Sequence, residues 1–191
     1  MPFVEYTDRY SRASLDLPSY LLRQRRAVFL TDTITDALAA EVVQQLMYLA
    51  SSGTGEILLY INSPGGSVTA GLAIYDAIQG VPCPVSTICL GLAASMGAVL
   101  LAAGTRGKRF ALPNSEVMIH QVMGEAQGQA ADVEIAAAHI GRIKARLNRL
   151  LAEHTGQPLE RICRDTDRNY FLDAQAAVDY GLVDAIRSEL F

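Results

Sequence analysis

Ser95 has the setting best suited to covalent chemistry. It lies in Gly91-Leu92-Ala93-Ala94-Ser95-Met96-Gly97-Ala98, between a run with strand character and an Ala/Leu-rich run with helix character. A serine at such a turn has unpaired backbone N–H groups beside it. Those groups can stabilise the oxyanion on an attacked carbonyl. The pattern is half of a Gly-x-Ser-x-Gly elbow, with Ala93 where the first glycine would stand. The bland alternative for the same segment is a serine N-cap on a buried helix.

His120 follows Val117-Met118-Ile119, an apolar run that delivers it to the C-terminal edge of a sheet. Ligands of open α/β sheets bind at that edge. A serine hydroxyl is inert at neutral pH without such a base. The alternative is a packed histidine with one satisfied nitrogen. Ser63-Pro64-Gly65-Gly66-Ser67 is the third candidate. It lacks the Lys-Ser/Thr of a P-loop and the spacing of a dinucleotide site. Its glycines either turn a backbone N–H outward and admit an extended peptide, or only make a tight turn. His139 and His154, on or at the end of the longest helical segment, are expected at the surface or an interface.

These residues need elements to hold them. Val28 to Leu30, Glu56 to Ile61, Val85 to Leu90, Lys108 to Leu112, Val117 to Ile119 and Leu182 to Ile186 read as strands. Helical spacing of apolar residues marks about 36–50, 68–78 and 131–153, with shorter helices near 95–103, 159–164 and after Asp173. Thr35 or Asp36 and Asp173 are expected N-caps, and Gly156 and Gly181 expected stops. Alternating strands and helices indicate α/β with largely parallel pairing. Residues 1–19 show no clear periodicity and are expected to form a mobile arm before one domain over 20–191.

The 191 residues are enough for one domain with a real core. At 50% hydrophobic and 19% charged, the chain is not of disordered type. The charged fraction is below the usual ~25%, so surplus apolar surface is expected at a subunit interface. A net charge of -4 argues against a nucleic-acid partner. Residues 1–26 carry Glu5, Asp8, Asp16 and several arginines without a long apolar run, so no secretory signal is expected. No stretch has the length of a membrane span. Cys83, Cys89 and Cys163 are odd in number and lack Cys-x-x-Cys spacing. They are expected to be reduced, packed thiols in a cytoplasmic protein, with no metal site.

Ile61-Asn-Ser-Pro-Gly-Gly66, Thr87-Ile-Cys-Leu-Gly-Leu-Ala-Ala-Ser-Met-Gly97, Gly107-Lys-Arg-Phe-Ala-Leu-Pro-Asn114 and Val117-Met-Ile-His-Gln121 together resemble the ClpP family, the proteolytic subunits of ATP-dependent Clp proteases. Gly128 to Ile135 and Ala177 to Asp184 extend the likeness, which covers roughly residues 20–187. The resemblance implies a ClpP/crotonase-like superhelix of β-β-α units, with a protruding handle over about 121–153. It implies a serine endopeptidase with Ser95 as nucleophile, His120 as base, and Gly66 and Met96 as oxyanion donors. Two heptameric rings would stack into a tetradecamer, homomeric or mixed with a second ClpP-like chain. Gln127, Asp132, Glu134, Asp167 and Arg168 would serve ring-to-ring contact. Residues 1–19 would line an axial entry. An AAA+ unfoldase would dock on Leu58, Tyr60, Ile88, Leu90 and Leu112, spend the ATP and feed in unfolded chains. This chain itself would bind no cofactor.

The sequence departs from that pattern at four places. Asn169, in Arg168-Asn169-Tyr170-Phe171, stands where the family carries the Asp of its triad. Asn offers the imidazole an acceptor without a charge. Asp165, Asp167 and Asp173 are the nearby acids that could replace it. Val122 replaces a proline, and Gly80 and Arg187 replace an aromatic and an apolar residue of the docking surface. Two alternatives follow: a weakly active or silent structural subunit of a mixed barrel, and a crotonase-type acyl-CoA enzyme, which shares the superhelix.

Overall fold

The computed structural model describes residues 2–7, 12–124 and 127–190. Met1 and residues 8–11 of the expected arm, and Glu125 and Ala126 of the expected handle, lie outside the described residues. The chain opens with β1 (Phe3–Thr7) and β2 (Arg12–Asp16), then α1 (Leu17–Arg25). There follow β3 (Ala27–Leu30), α2 (Asp36–Ser51), β4 (Ile57–Ser63), α3 (Val68–Gly80), β5 (Val85–Ala94) and α4 (Met96–Ala102). The second half holds β6 (Arg109–Ala111), β7 (Glu116–Ile119), α5 (Ala130–Thr155), α6 (Leu159–Asp165), β8 (Tyr170–Asp173), α7 (Ala174–Tyr180) and β9 (Ala185–Ile186).

Parallel strands run in the order β3-β4-β5-β6-β9. A second ladder forms where the chain leaves the first. The segment after β3 meets the segment after β4 through a parallel bridge between Ile34 and Gly66. Past an irregularity, Ser63 pairs with Ala93. Gly91 has φ +68, and Leu92 N–H bonds the Asn62 side chain, so β5 turns there. Its first half pairs with β6 and its second half, Leu92 to Ala94, with β7. Each turn of chain thus gives one strand segment to each ladder before its helix, which is a superhelix of β-β-α units.

The core lies between the sheet and helices α2 to α5. Helix α2 buries Ala39, Val42, Leu46 and Leu49 at helical spacing, and its N-cap Thr35 accepts from Leu38 N–H. Every residue of α4 is buried. Helix α5 is different: of its 26 residues only Leu147, Asn148 and Leu151 are buried, and Ile143 is the first to pack on the core, so about its first three turns project from the body.

The arm is not devoid of regular structure, because β1 and β2 pair antiparallel and α1 begins at Leu17. Asp16 caps α1 by accepting from Ser19 N–H, with Pro18 in the first turn. The helix buries no residue fully, which is why no apolar period marks it. Phe171 and Leu172 form a strand, β8, antiparallel to β7. Leu182 to Ile186 is not one strand. The N–H groups of Leu182 and Val183 bond Ala177 at the end of α7, leaving only Ala185–Ile186 to pair. His154 is half-buried rather than exposed, and its Nε2 meets the Tyr75 hydroxyl at 2.8 Å. Burial pushes its pKa down. All three cysteines are free, but Cys163 is exposed rather than packed. Burial pushes the Cys89 thiol up to about 11.

Candidate active site

Ser95 sits between β5 and α4 with φ 56 and ψ -121. A non-glycine residue in that region costs about 1–3 kcal/mol and persists only where its surroundings enforce it. Here they do. Its N–H donates to Met118 of β7 at 2.8 Å, and its carbonyl accepts from Ala98 and Val99 in the first turn of α4. Its side chain makes no capping hydrogen bond. Ser95 thus holds the N-cap position of α4 through its backbone alone, and its side chain lines the cleft instead of capping the helix.

The Gly65-Gly66 turn is pressed against this serine. A Cβ on Gly65, at φ +90, would lie 2.6 Å from Ser95 Cβ and 2.8 Å from the Ala94 carbonyl. A Cβ on Gly66, at φ +149, would lie 2.4 Å from the Ile34 carbonyl. Ile34 N–H donates to Gly65 and Ser67 N–H donates to Ile34, both at 2.8 Å. In a parallel bridge those neighbours serve Ile34, so the N–H of Gly66 itself points the other way. Met96 begins α4, so its N–H has no intrahelical acceptor. Gly66, Ser95, Met96 and His120 all line one cleft of about 370 Å³. Its other walls are mainly apolar, among them Val68, Ile119, Val122 and Leu147.

His120 leaves the end of β7 and is half-buried. The β5–β7 ladder aligns Ala94 with Met118, which brings the serine and histidine segments to the same end of the sheet. Among the described residues, Ser95 and His120 share no hydrogen bond; such contacts are often long before substrate binds. Asn169 is exposed and does not line the cleft. The antiparallel ladder pairs Ile119 with Tyr170 and stops there, so His120 directly follows, and Asn169 directly precedes, its last pair.

Two of the three nearby acids are already committed. Asp165 accepts from Arg161, Arg164 and the Tyr180 hydroxyl. Asp173 caps α7 by accepting from Ala176 N–H. Asp167 is exposed, and its backbone carbonyl takes the Gln121 side chain. Gln121 also accepts from Lys144, and nothing in the types or spacing of residues 121, 144 and 167 reveals that they meet.

The other expected surfaces are distributed differently. Gln127, Asp132, Glu134, Asp167 and Arg168 are exposed, and none forms an ion pair among the described residues. Leu58, Leu90 and Leu112 are half-buried around a small apolar cluster. Tyr60 and Ile88 are not displayed as expected: they are 2% and 0% exposed. Phe29 stacks on Tyr60 at 5.2 Å, and the Tyr60 hydroxyl donates to the Leu190 carbonyl. Strand alternation places these residues on one sheet face, and the C-terminal segment then covers part of it.

Among the described residues no group of three His, Cys, Asp or Glu could hold a metal, and no helix is long and apolar enough to cross a membrane. A family model described as Clp protease matches residues 10–189, nearly the whole chain. With a strained, uncapped serine and a histidine at one cleft within a β-β-α superhelix, that match makes the chain a member of the Clp protease family, the serine peptidases of Clp type.

Proposed function

We propose that the chain is the proteolytic subunit of a Clp machine, a serine endopeptidase acting on unfolded polypeptide. The observation that carries this reading is the backbone at Ser95: held at φ 56, it leaves the hydroxyl uncommitted in the cleft that His120 also lines. Ser95 Oγ attacks the scissile carbonyl carbon while His120 Nε2 takes its proton. The N–H groups of Gly66 and Met96 receive the oxyanion. His120 then protonates the leaving amine, which leaves an acyl-enzyme. Water, deprotonated by His120, releases the second product and restores Ser95.

Asn169 takes the third place. In the reacting complex its carbonyl would accept from His120 Nδ1–H and hold the tautomer, a bond not formed among the described residues, and it would supply no charge to the imidazolium. Turnover is therefore low but present. The silent-subunit alternative is favoured by one observation, the exposed Asn169 outside the cleft. Heptameric rings stacked through the projecting half of α5 enclose the sites, residues 1–19 line the entry, and an AAA+ unfoldase in the cytoplasm spends ATP to deliver substrate. The chain itself uses no cofactor.

The test is turnover of a small fluorogenic peptide by wild type and Ser95→Ala, with assembly followed by native mass spectrometry. Loss of about 10⁴-fold or more in the variant is expected. Equal turnover in both removes Ser95 from the chemistry.

A further inference from the structure

The β7–β8 ladder ends at Ile119 and Tyr170, one residue short of His120 and Asn169. Beyond that pair the two segments are joined again, by a side chain. Gln121 Nε2 donates to the Asp167 carbonyl at 2.9 Å. His120 and Asn169 are thus bracketed by a backbone pair on one side and a side-chain bond on the other. The second half of the Gln121 amide is also used: Oε1 accepts from Lys144 Nζ on α5 at 2.8 Å. An ammonium only donates and a carbonyl only accepts, so these two partners admit one orientation of the amide.

We propose that Gln121 is a positioning residue for the reaction and that Lys144 sets its amide. This rests on the reading of Ser95 and His120 as nucleophile and base. The segment after His120 has no ladder partner of its own, and the preceding segment of Asn169 ends an exposed turn. Without the Gln121 bond, the base and its third partner are free to separate past Ile119 and Tyr170. The bond substitutes for one more rung of the ladder. Lys144 lies one turn before Leu147, the first buried residue of α5, so the amide is set from the point where the projecting helix joins the body.

Four variants of the assembled full-length chain separate the parts. Gln121→Glu keeps an acceptor for Lys144 but has no donor for Asp167. Gln121→Met keeps the length and loses both bonds. Lys144→Met removes the partner of Oε1, and Lys144→Arg keeps a cationic donor. On a small fluorogenic peptide, Gln121→Glu, Gln121→Met and Lys144→Met lower kcat by about 10- to 100-fold, the cost of a misplaced catalytic group. KM stays within about twofold. Lys144→Arg restores most of the loss. The ¹⁵N imidazole shifts of His120 move in the first three variants and return in the fourth, a readout that needs no turnover. Intact oligomers with wild-type kcat and unmoved shifts in Gln121→Glu overturn the inference. So does a Lys144→Arg chain no better than Lys144→Met. A wild type without turnover, but with shifts that move as described, counts against the peptidase reading and leaves the positioning in place.

Discussion

At the scale of single residues, the site depends on close approach as much as on reactive groups. Gly65 shows this best. An added methyl would meet Ser95 and the Ala94 carbonyl, neither of which can yield without moving the nucleophile. Gly65→Ala should therefore cut peptide turnover by about 100-fold or more. Gly71→Ala is the milder case: its methyl would meet Met96 at Cε (2.5 Å), Cγ (3.2 Å) and Cβ (3.3 Å), so the buried thioether must shift, but no backbone atom of the Ser95 turn is struck. That variant should retain far more turnover than Gly65→Ala. Asn169→Asp should raise turnover, because a carboxylate can stabilise the imidazolium of His120 where an amide dipole does so weakly. Asp165 cannot already supply that charge, since two arginines and Tyr180 hold it. Unchanged turnover in Asn169→Asp with assembly intact would mean that the third residue does not limit the chemistry.

Between elements, the joints follow charge and register that one-dimensional patterns express unevenly. Arg109 opens β6 with its side chain only 6% exposed, and its guanidinium meets Asp184 at 2.5 and 3.0 Å. It also donates to the carbonyls of His154 and Gly181, so it ties the ends of α5 and α7 to the sheet. Burial alone would raise the Asp184 carboxyl, but the bonds from Arg109 outweigh it and hold it below the ordinary carboxylate range. Its stabilising contribution is then present above the ordinary value near 3.8 and is lost as pH falls through the lowered folded one. Asp184→Ala should cost about 3 kcal/mol, at the lower end for a broken buried pair because Asp184 is partly exposed. The loss should be read as a lower Tm at neutral pH that narrows in acid. Much of this scale was legible in the sequence. Thr35, Asp173, Gly156 and Gly181 end or begin helices as their types predict, because caps are local. The hairpin, α1 and β8 were not legible: α1 buries nothing fully, and β8 is defined by a partner some fifty residues earlier. Ser95 and His120 stood out because each closes an apolar strand. The Gln121 clamp did not, because its three members come from separate segments.

At the scale of the whole molecule, several large apolar side chains stay exposed among the described residues, Met123 and Ile135 among them. The first four turns of α5 have no buried residue, and Ile135 there is 67% exposed. Burial between the proposed rings would give it a partner. Native mass spectrometry should find heptamers or tetradecamers at micromolar concentration, and Ile135→Asp should shift the larger species toward the smaller. A stable monomer would contradict the barrel. The chemistry of Ser95 can be probed apart from assembly. The assembled wild-type chain is treated with a fluorophosphonate probe and the adduct is mapped by peptide mass spectrometry. One adduct is expected, on Ser95, formed much more slowly in His120→Ala and absent in Ser95→Ala. An adduct on another residue, or equal labelling of Ser95 with and without His120, would contradict it.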